Sequence, residues 1–256
     1  MSTLTSPDVG RRTTGRRGAV ARVLAAPLVV AVLGLVTLLW LQSIELDSIE
    51  KRTLNTDYLV DRVREHLLLS LSAAALVALL AIPAGVLIHR TNSRVLRGVV
   101  LALANIGQAT PAVGVVILLA IVWRTGFTTA LVALVAYSFL PVLRNTLTGL
   151  AEVDPATREA ARGMGMTRTQ VLRRIELPLA SPVILAGLRT SLVFAVGVAT
   201  IATFINAGGL GDMIVNGLKL QRYPVLIVGA ALVAGIAILI DWVAGLVEEY
   251  ARPRGL

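Results

Sequence analysis

Apolar residues in this chain come in long unbroken runs rather than in stripes. Six runs stand out, at about residues 23–41, 67–88, 98–122, 128–147, 182–205 and 225–246. Each is close to the ~20 apolar residues that an α-helix needs to cross the hydrocarbon core of a bilayer. The period-two alternation of a membrane-spanning barrel strand is absent. The pattern therefore predicts an all-α, polytopic membrane helical bundle of about six transmembrane helices. Trp40, Trp123 and Trp242 fall near the ends of the first, third and sixth runs, where amphipathic rings anchor at the membrane interface.

Composition supports that class. Of the 256 residues, 56% are hydrophobic, which a soluble domain of this length would not carry. There is no cysteine, so disulfides, thiolate metal sites and a cysteine nucleophile are excluded. His66 and His89 lie far apart at span edges and suggest no metal site.

The formal charge of +9 raises the question of nucleic acid, and the distribution of charge answers it. With the N-terminus cytoplasmic, the alternate segments containing Arg11 to Arg22, Arg90 to Arg97, Arg144 to Arg174, and Arg252 and Arg254 hold 16 of the 24 Lys and Arg. The opposite side holds 7, and the outer stretch 45–65 also carries six acids. That is the positive-inside bias of a membrane protein with both termini cytoplasmic, in contact with anionic lipid and needing no nucleic acid. Arg16-Arg17 ahead of the first run suggests a twin-arginine signal, but no small-x-small cleavage site closes the run, so a retained anchor is expected.

The cytoplasmic segment 147–181 is long for a connection in a compact bundle and is expected to be functional. Asp154-Pro155 signals a helix start, residues 156–162 favour helix, and Gly163 and Gly165 end it. A second short helix is expected over 168–175, stopped by Leu177-Pro178 before the fifth span. The result is a short helix across the inner membrane face, presenting Glu159, small alanines and Met164.

This segment, Glu159-Ala160-Ala161, then Gly165 after three residues, then Ile175-x-Leu177-Pro178 after nine, resembles the EAA loop of ABC importer permeases at every position. Further stretches are similar to the glycine betaine, carnitine and choline (osmoprotectant) permeases: Glu65-His66-Leu67, Ile82-Pro83-Ala84-Gly85, residues 104–111, residues 140–146 and residues 207–212. Gln108-Ala109 departs from the aliphatic residue expected near the break in the third span, which puts the ligand in question.

The resemblance implies the type I ABC importer transmembrane-domain fold, with a coupling helix that docks on a cytoplasmic ATPase subunit through Glu159, Ala160, Ala161, Gly163, Met164, Gly165, Ile175, Leu177 and Pro178. It implies a second permease copy or paralogue and an extracytoplasmic solute-binding protein that delivers a quaternary-ammonium compatible solute. It also implies a location in the cytoplasmic (inner) membrane. The expected organisation is a basic arm at 1–22, a permease domain at 23–250 with its core at 60–250 and coupling loop at 151–178, and a tail at 251–256. No GxxxxGK[ST] loop is present, so the chain is not expected to be an enzyme or to bind a cofactor; ATP and Mg belong to the partner ATPase. The rival readings are the same architecture for another amino-acid-like solute, or an ATP-independent transporter or channel.

Several polar residues lie inside the spans. Asn105, Gln108, Thr110 and Pro111 interrupt the third, either as lining of a translocation path or as a kinked helix packed in the bundle. Tyr137 is placed with the path. Asn206, Gly208 and Gly209 end the fifth span as an outer gate or, by the needs of the backbone, a close-packed turn. Arg189 and Asp241 lie at matching depth with opposite charge, which suggests either an ion pair or an arginine snorkelling to the interface.

Overall fold

The computed structural model describes residues 15–91 and 93–251, with side chains from residue 24 onward. The helices are α1 (Gly15–Gln42), α2 (Ser48–Thr53), α3 (Thr56–Thr91), α4 (Arg94–Ala109), α5 (Ala112–Val122), α6 (Phe127–Glu152), α7 (Pro155–Gly163), α8 (Arg168–Val171), α9 (Leu177–Ala199), α10 (Gly211–Lys219) and α11 (Tyr223–Ala251). A π-turn, Leu172–Glu176, joins α8 to α9, and a 3₁₀ turn, Thr200–Ile205, follows α9. There is no strand among the described residues. Of the expected N-terminal arm, only the backbone of residues 15–22 is described, as the start of α1; the tail beyond Ala251 lies outside the described residues.

Among the described residues, five continuous helical stretches are long and apolar enough to cross a membrane. The sixth crossing differs from the expected single span over 98–122. It is the pair α4 and α5, bent by 97°. The cause lies at Thr110-Pro111. Proline has no N–H and its ring clashes with the preceding turn, which drives the residue before it out of the helical region. Thr110 is accordingly extended (φ −71°, ψ 135°), and its hydroxyl donates to the Ile106 carbonyl at 2.8 Å.

Helix α3 also runs well beyond its apolar run, starting at Thr56, and carries Asp57, Arg62 and Glu65 on a polar N-terminal extension. The short α2 caps the bundle next to it. Asp47 accepts from the backbone N–H groups of Ile49 and Glu50 and pairs with Arg222. The Glu50 N–H and the Arg222 guanidinium together hold the Asp47 carboxyl below the usual carboxylate range.

The core is the triplet α3, α6 and α9, packed through small residues because lipid tails are as apolar as any side chain and only close backbone approach drives helices together. A Cβ on Gly85 of α3 would lie 2.6 Å from Thr146 Cγ2, and one on Gly187 of α9 would lie 2.7 Å from Asn145 Cβ. Buried Leu69, Ala73, Val77 and Ala81 line α3 at one-turn spacing, facing Ala130, Leu134, Leu143 and Leu147 of α6. α11 lies against α9 and α10. α1 lies outside, on α11, with Leu28, Val32, Leu35 and Leu39 exposed.

Candidate functional site: the loop after the fourth span and the polar residues of the spans

Asp154 caps α7 by accepting from Ala156 N at 3.0 Å, with Pro155 in the first turn. The helix ends where Gly165 takes φ +84°, while Met164, Gly165 and Met166 return their N–H groups to the carbonyls of Ala160, Arg162 and Ala161. Thr167 and Gln170 then form a reciprocal cap on α8.

The expectation that Leu177-Pro178 stops the chain before the fifth span is not met. Pro178 sits in the first turn of α9, where a missing N–H costs least, and the π-turn just before it shifts the hydrogen-bond register so that the chain passes on as one helical rod. The fifth span therefore begins at Leu177, five residues earlier than its apolar run.

The motif residues divide by environment. Glu159, Ala160, Gly163, Met164, Gly165 and Pro178 are exposed, Met164 by 73%. Ala161 is 1% exposed and belongs to the bundle, and Ile175 and Leu177 are half-buried. Behind α7 lies a cavity of about 640 Å³ lined by His89, Arg90, Arg158, Arg162, Arg168, Thr169, Val171 and Glu176. Arg158 donates to the Val153 carbonyl at 2.6 Å and lies 4.0 Å from the buried Glu176 carboxylate. Arg90 of α3 donates to the Arg168 carbonyl at 3.2 Å. The Arg90 bond fixes the loop to the end of α3, and the Arg158 contacts hold the loop to itself. The role of Glu176 was missed in the sequence, although a single acid between Ile175 and Leu177 was a visible signal.

Among the span residues, Asn105 accepts from Arg144 Nη2 at 2.6 Å, joining α4 to α6. Gln108 is half-buried, and Thr110 and Pro111 are exposed at the elbow. Tyr137 meets Phe194 edge to face, with ring centroids 6.3 Å apart at 64°.

Asn206, Gly208 and Gly209 belong to a different place. They form a left-handed turn (φ 58°, 78° and 92°) against the N-terminal part of α3. There Gly209 N donates to Glu65 Oε2 at 2.8 Å, and Arg62 bridges Glu65 and Asp212 at 2.9 Å each. Thr203 donates to Asp212, and the buried His66 donates from Nε2 to the Val196 carbonyl at 3.1 Å. The stretches 65–67 and 207–212, far apart in sequence, are thus one structural unit.

Arg189 and Asp241 are joined by two hydrogen bonds, Nε to Oδ1 and Nη2 to Oδ2, each 2.6 Å, with Glu248 3.6 Å from the same guanidinium. The ion-pair reading of these residues is the one the geometry has.

Residues 81–252 match the family described as "Binding-protein-dependent transport system inner membrane component". The chain is 43% identical over 200 residues to a carnitine transport permease protein, OpuCD, of Listeria monocytogenes, covering 78% of this chain and 89% of that one. It is 41% identical to the glycine betaine/carnitine/choline transport system permease protein OpuCD of Bacillus subtilis, with 78% and 86% covered. It is 36% identical to the osmoprotectant import permease protein OsmY of Salmonella typhimurium, with 86% and 91% covered.

Among solved structures, the MetNI methionine ABC transporter in an inward-facing conformation superposes with a TM-score of 0.67 at 23% identity, over 76% of this chain and 96% of that one. That likeness establishes the fold, the transmembrane domain of a type I ABC importer. The chain is thus a multi-pass membrane protein and a non-catalytic permease subunit, and in such systems ATP hydrolysis belongs to a separate ATPase subunit. By its profile match and its identity to these relatives, the chain belongs to the family of binding-protein-dependent transport system inner membrane components.

Proposed function

We propose that this permease carries a quaternary-ammonium compatible solute of the glycine betaine, carnitine or choline type across the inner membrane, with both termini cytoplasmic. The observation that carries the reading is the identity of about two residues in five, over most of both chains, to permeases named for those solutes. An extracytoplasmic binding protein delivers the solute. Two permeases, identical or paralogous, form the path, and each rests on an ATPase that holds ATP and Mg.

Helix α7 is the coupling helix, with residues 151–178 as its loop and 60–250 as the permease core. Its exposed set of Glu159, Ala160, Gly163, Met164 and Gly165 suits docking: small residues permit close approach, Met164 adapts to an apolar groove, and Glu159 makes a directed polar contact. Ala161, Ile175, Leu177 and Pro178 hold that surface in place. Asn105, Gln108, Thr110, Pro111 and Tyr137 line the path, and the turn of Asn206, Gly208 and Gly209 closes its outer end.

The test is purification of the tagged chain from its own membranes in mild detergent. Stoichiometric recovery of an ATPase and a solute-binding protein, the latter binding glycine betaine, carnitine or choline, is the expected result. Recovery of the folded chain alone would overturn the ATP-driven reading, and a binding protein that takes none of the three would overturn the solute. Within the complex, Glu159→Arg is expected to abolish uptake and weaken ATPase retention with the permease still inserted.

A further inference from the structure

Helix α7 has two faces, and its arginines are not on the one that carries Glu159. At about 3.6 residues per turn, Arg158, Ala161 and Arg162 fall together, and Glu159, Ala160, Gly163 and Met164 fall opposite them. Ala161 is buried, so the arginine face turns toward the rest of the chain. Between it and the end of α3 lies the cavity of about 640 Å³, a volume within the ~300–1,000 Å³ range of small-ligand sites.

Four guanidinium groups line that cavity: Arg90 from α3, Arg158 and Arg162 from α7, and Arg168 from α8. One carboxylate lines it with them, Glu176, 4.0 Å from Arg158. With His89 neutral, four cations against one anion leave a surplus of three positive charges. Among the described residues, Arg90, Arg162 and Arg168 form no ion pair, and the side chains of Arg162 and Arg168 donate no hydrogen bond. Arg158 Nε is buried and makes no hydrogen bond either. A second cavity, of about 280 Å³, shares His89 and Arg158 with the first and adds Arg94 and Arg97. Like charges gathered in one place repel, and a buried N–H without an acceptor is costly. An anion in the larger cavity relieves both.

Phosphate suits the site better than carboxylate. It offers three or more acceptor oxygens to guanidinium forks that arrive from three helices, where a carboxylate offers two. The depth agrees. His89 and Arg90 follow directly on the apolar run that ends at residue 88, so the cavity lies at the level of lipid headgroups. Basic pockets between helices on the cytoplasmic side bind anionic headgroups.

We propose that the cavity between α7 and the end of α3 is a phosphate-binding site, filled by a lipid headgroup or by free phosphate, whose occupant joins α3, α7 and α8 through one anion and braces the loop. The site does not depend on the solute carried, nor on α7 being the coupling helix.

The test is thermal melting of the full-length permease in non-ionic maltoside micelles, washed free of lipid phosphorus, with sodium phosphate titrated against sodium chloride of equal ionic strength. Phosphate is expected to raise the midpoint by about 3–5 °C at about ten times its half-saturating concentration. The double variant Arg162→Gln, Arg168→Gln removes no ion pair or side-chain hydrogen bond. It is expected to lose the shift and to melt no lower than wild type in chloride. The double variant Arg173→Gln, Arg174→Gln makes the same change of charge on exposed residues of the same loop that do not line the cavity, and is expected to keep the shift. Dioleoylphosphatidylglycerol added to the micelles separates the two sources. A lipid shift that leaves none for phosphate to add assigns the headgroup; no lipid shift beside a full phosphate shift assigns the free anion. No shift from either probe overturns the site. So does a shift that survives in the Arg162, Arg168 variant, one that vanishes equally in the Arg173, Arg174 variant, or a lower midpoint of the Arg162, Arg168 variant in chloride. An equal shift with sodium acetate overturns the phosphate assignment and makes the cavity a carboxylate pocket, as an acidic side chain of the ATPase would require.

Discussion

Glu65 Oε2 accepts the Gly209 N–H at 2.8 Å, and this bond ties the N-terminal part of α3 to the turn that follows the fifth span. The turn is built for close approach. A Cβ on Gly208 would sit 2.5 Å from Glu65 Oε2, and one on Gly211 would sit 2.1 Å from the Thr200 carbonyl oxygen. The first obstacle is the tip of a side chain and the second is backbone. Gly211→Ala is therefore expected to be the more damaging substitution, with little folded protein recovered. Gly208→Ala, strained by its φ of +78° and by loss of the Glu65 position, is expected to cost about 1–3 kcal/mol. Thermal melting of the purified permease in detergent orders the two. A Gly211→Ala variant as stable as wild type would contradict the packing described.

The Arg189–Asp241 pair predicts an asymmetry. Asp241→Asn leaves Arg189 with Glu248 3.6 Å away, whereas Arg189→Met removes the cation that Asp241 faces. Arg189→Met is expected to lower the yield of assembled permease more than Asp241→Asn, and the exchanged pair Arg189→Asp with Asp241→Arg to recover part of the loss. Both side chains are more than a third exposed, so the recovery is modest, on the order of 1 kcal/mol. Size-exclusion profiles of the three variants beside wild type measure it. Equal loss in the Arg189→Met single variant and the exchanged double variant would show that the pairing does not hold α9 to α11.

Particular residues show how much of this was legible in the sequence. The apolar runs located every span because burial in lipid leaves its mark on each residue of a run. Asp154, Pro155 and Gly165 located α7 because capping and a positive φ act within a few positions of the chain. Pro111 marked a break, but its 97° angle depends on how α4 and α5 pack, and no local residue states that. Pro178 misled because a proline's effect depends on the register of the preceding turn, and a π-turn is a tertiary accommodation. The pairing of 65–67 with 207–212 was invisible for the same reason: Glu65 and Gly209 are 144 residues apart, and neither carries a sign of the other.

The two alanines that follow Glu159 separate docking from folding. Ala161 is 1% exposed, on the buried face of α7, while Ala160 is exposed on the opposite side. Ala161→Leu is expected to overpack the loop and cost about 1–3 kcal/mol of permease stability. Ala160→Leu is expected to leave the melting temperature of the isolated permease within a degree or two and to weaken ATPase retention instead. Melting and pull-down measured on the same two proteins give the comparison. Similar melting losses in both would mean that Ala160 also packs within the chain.

Gly187 and Gly197 stand ten residues apart on α9 and face opposite demands. A Cβ at Gly187 would lie 2.7 Å from Asn145 Cβ and 3.0 Å from the Pro141 carbonyl oxygen, both on α6. At Gly197 it would meet nothing within 4 Å. Helix propensity favours alanine over glycine by up to about 1 kcal/mol at both sites, so packing alone decides the sign. Gly187→Ala is expected to force α6 and α9 apart and destabilise the permease, and Gly187→Leu to prevent its accumulation in the membrane. Gly197→Ala is expected to be neutral or stabilising by a few tenths of a kcal/mol. Parallel melting of the two alanine variants reads the difference directly. If Gly197→Ala lost stability as well, the open face of α9 at that level would be occupied by the second permease, and the loss would then appear only in the dimer.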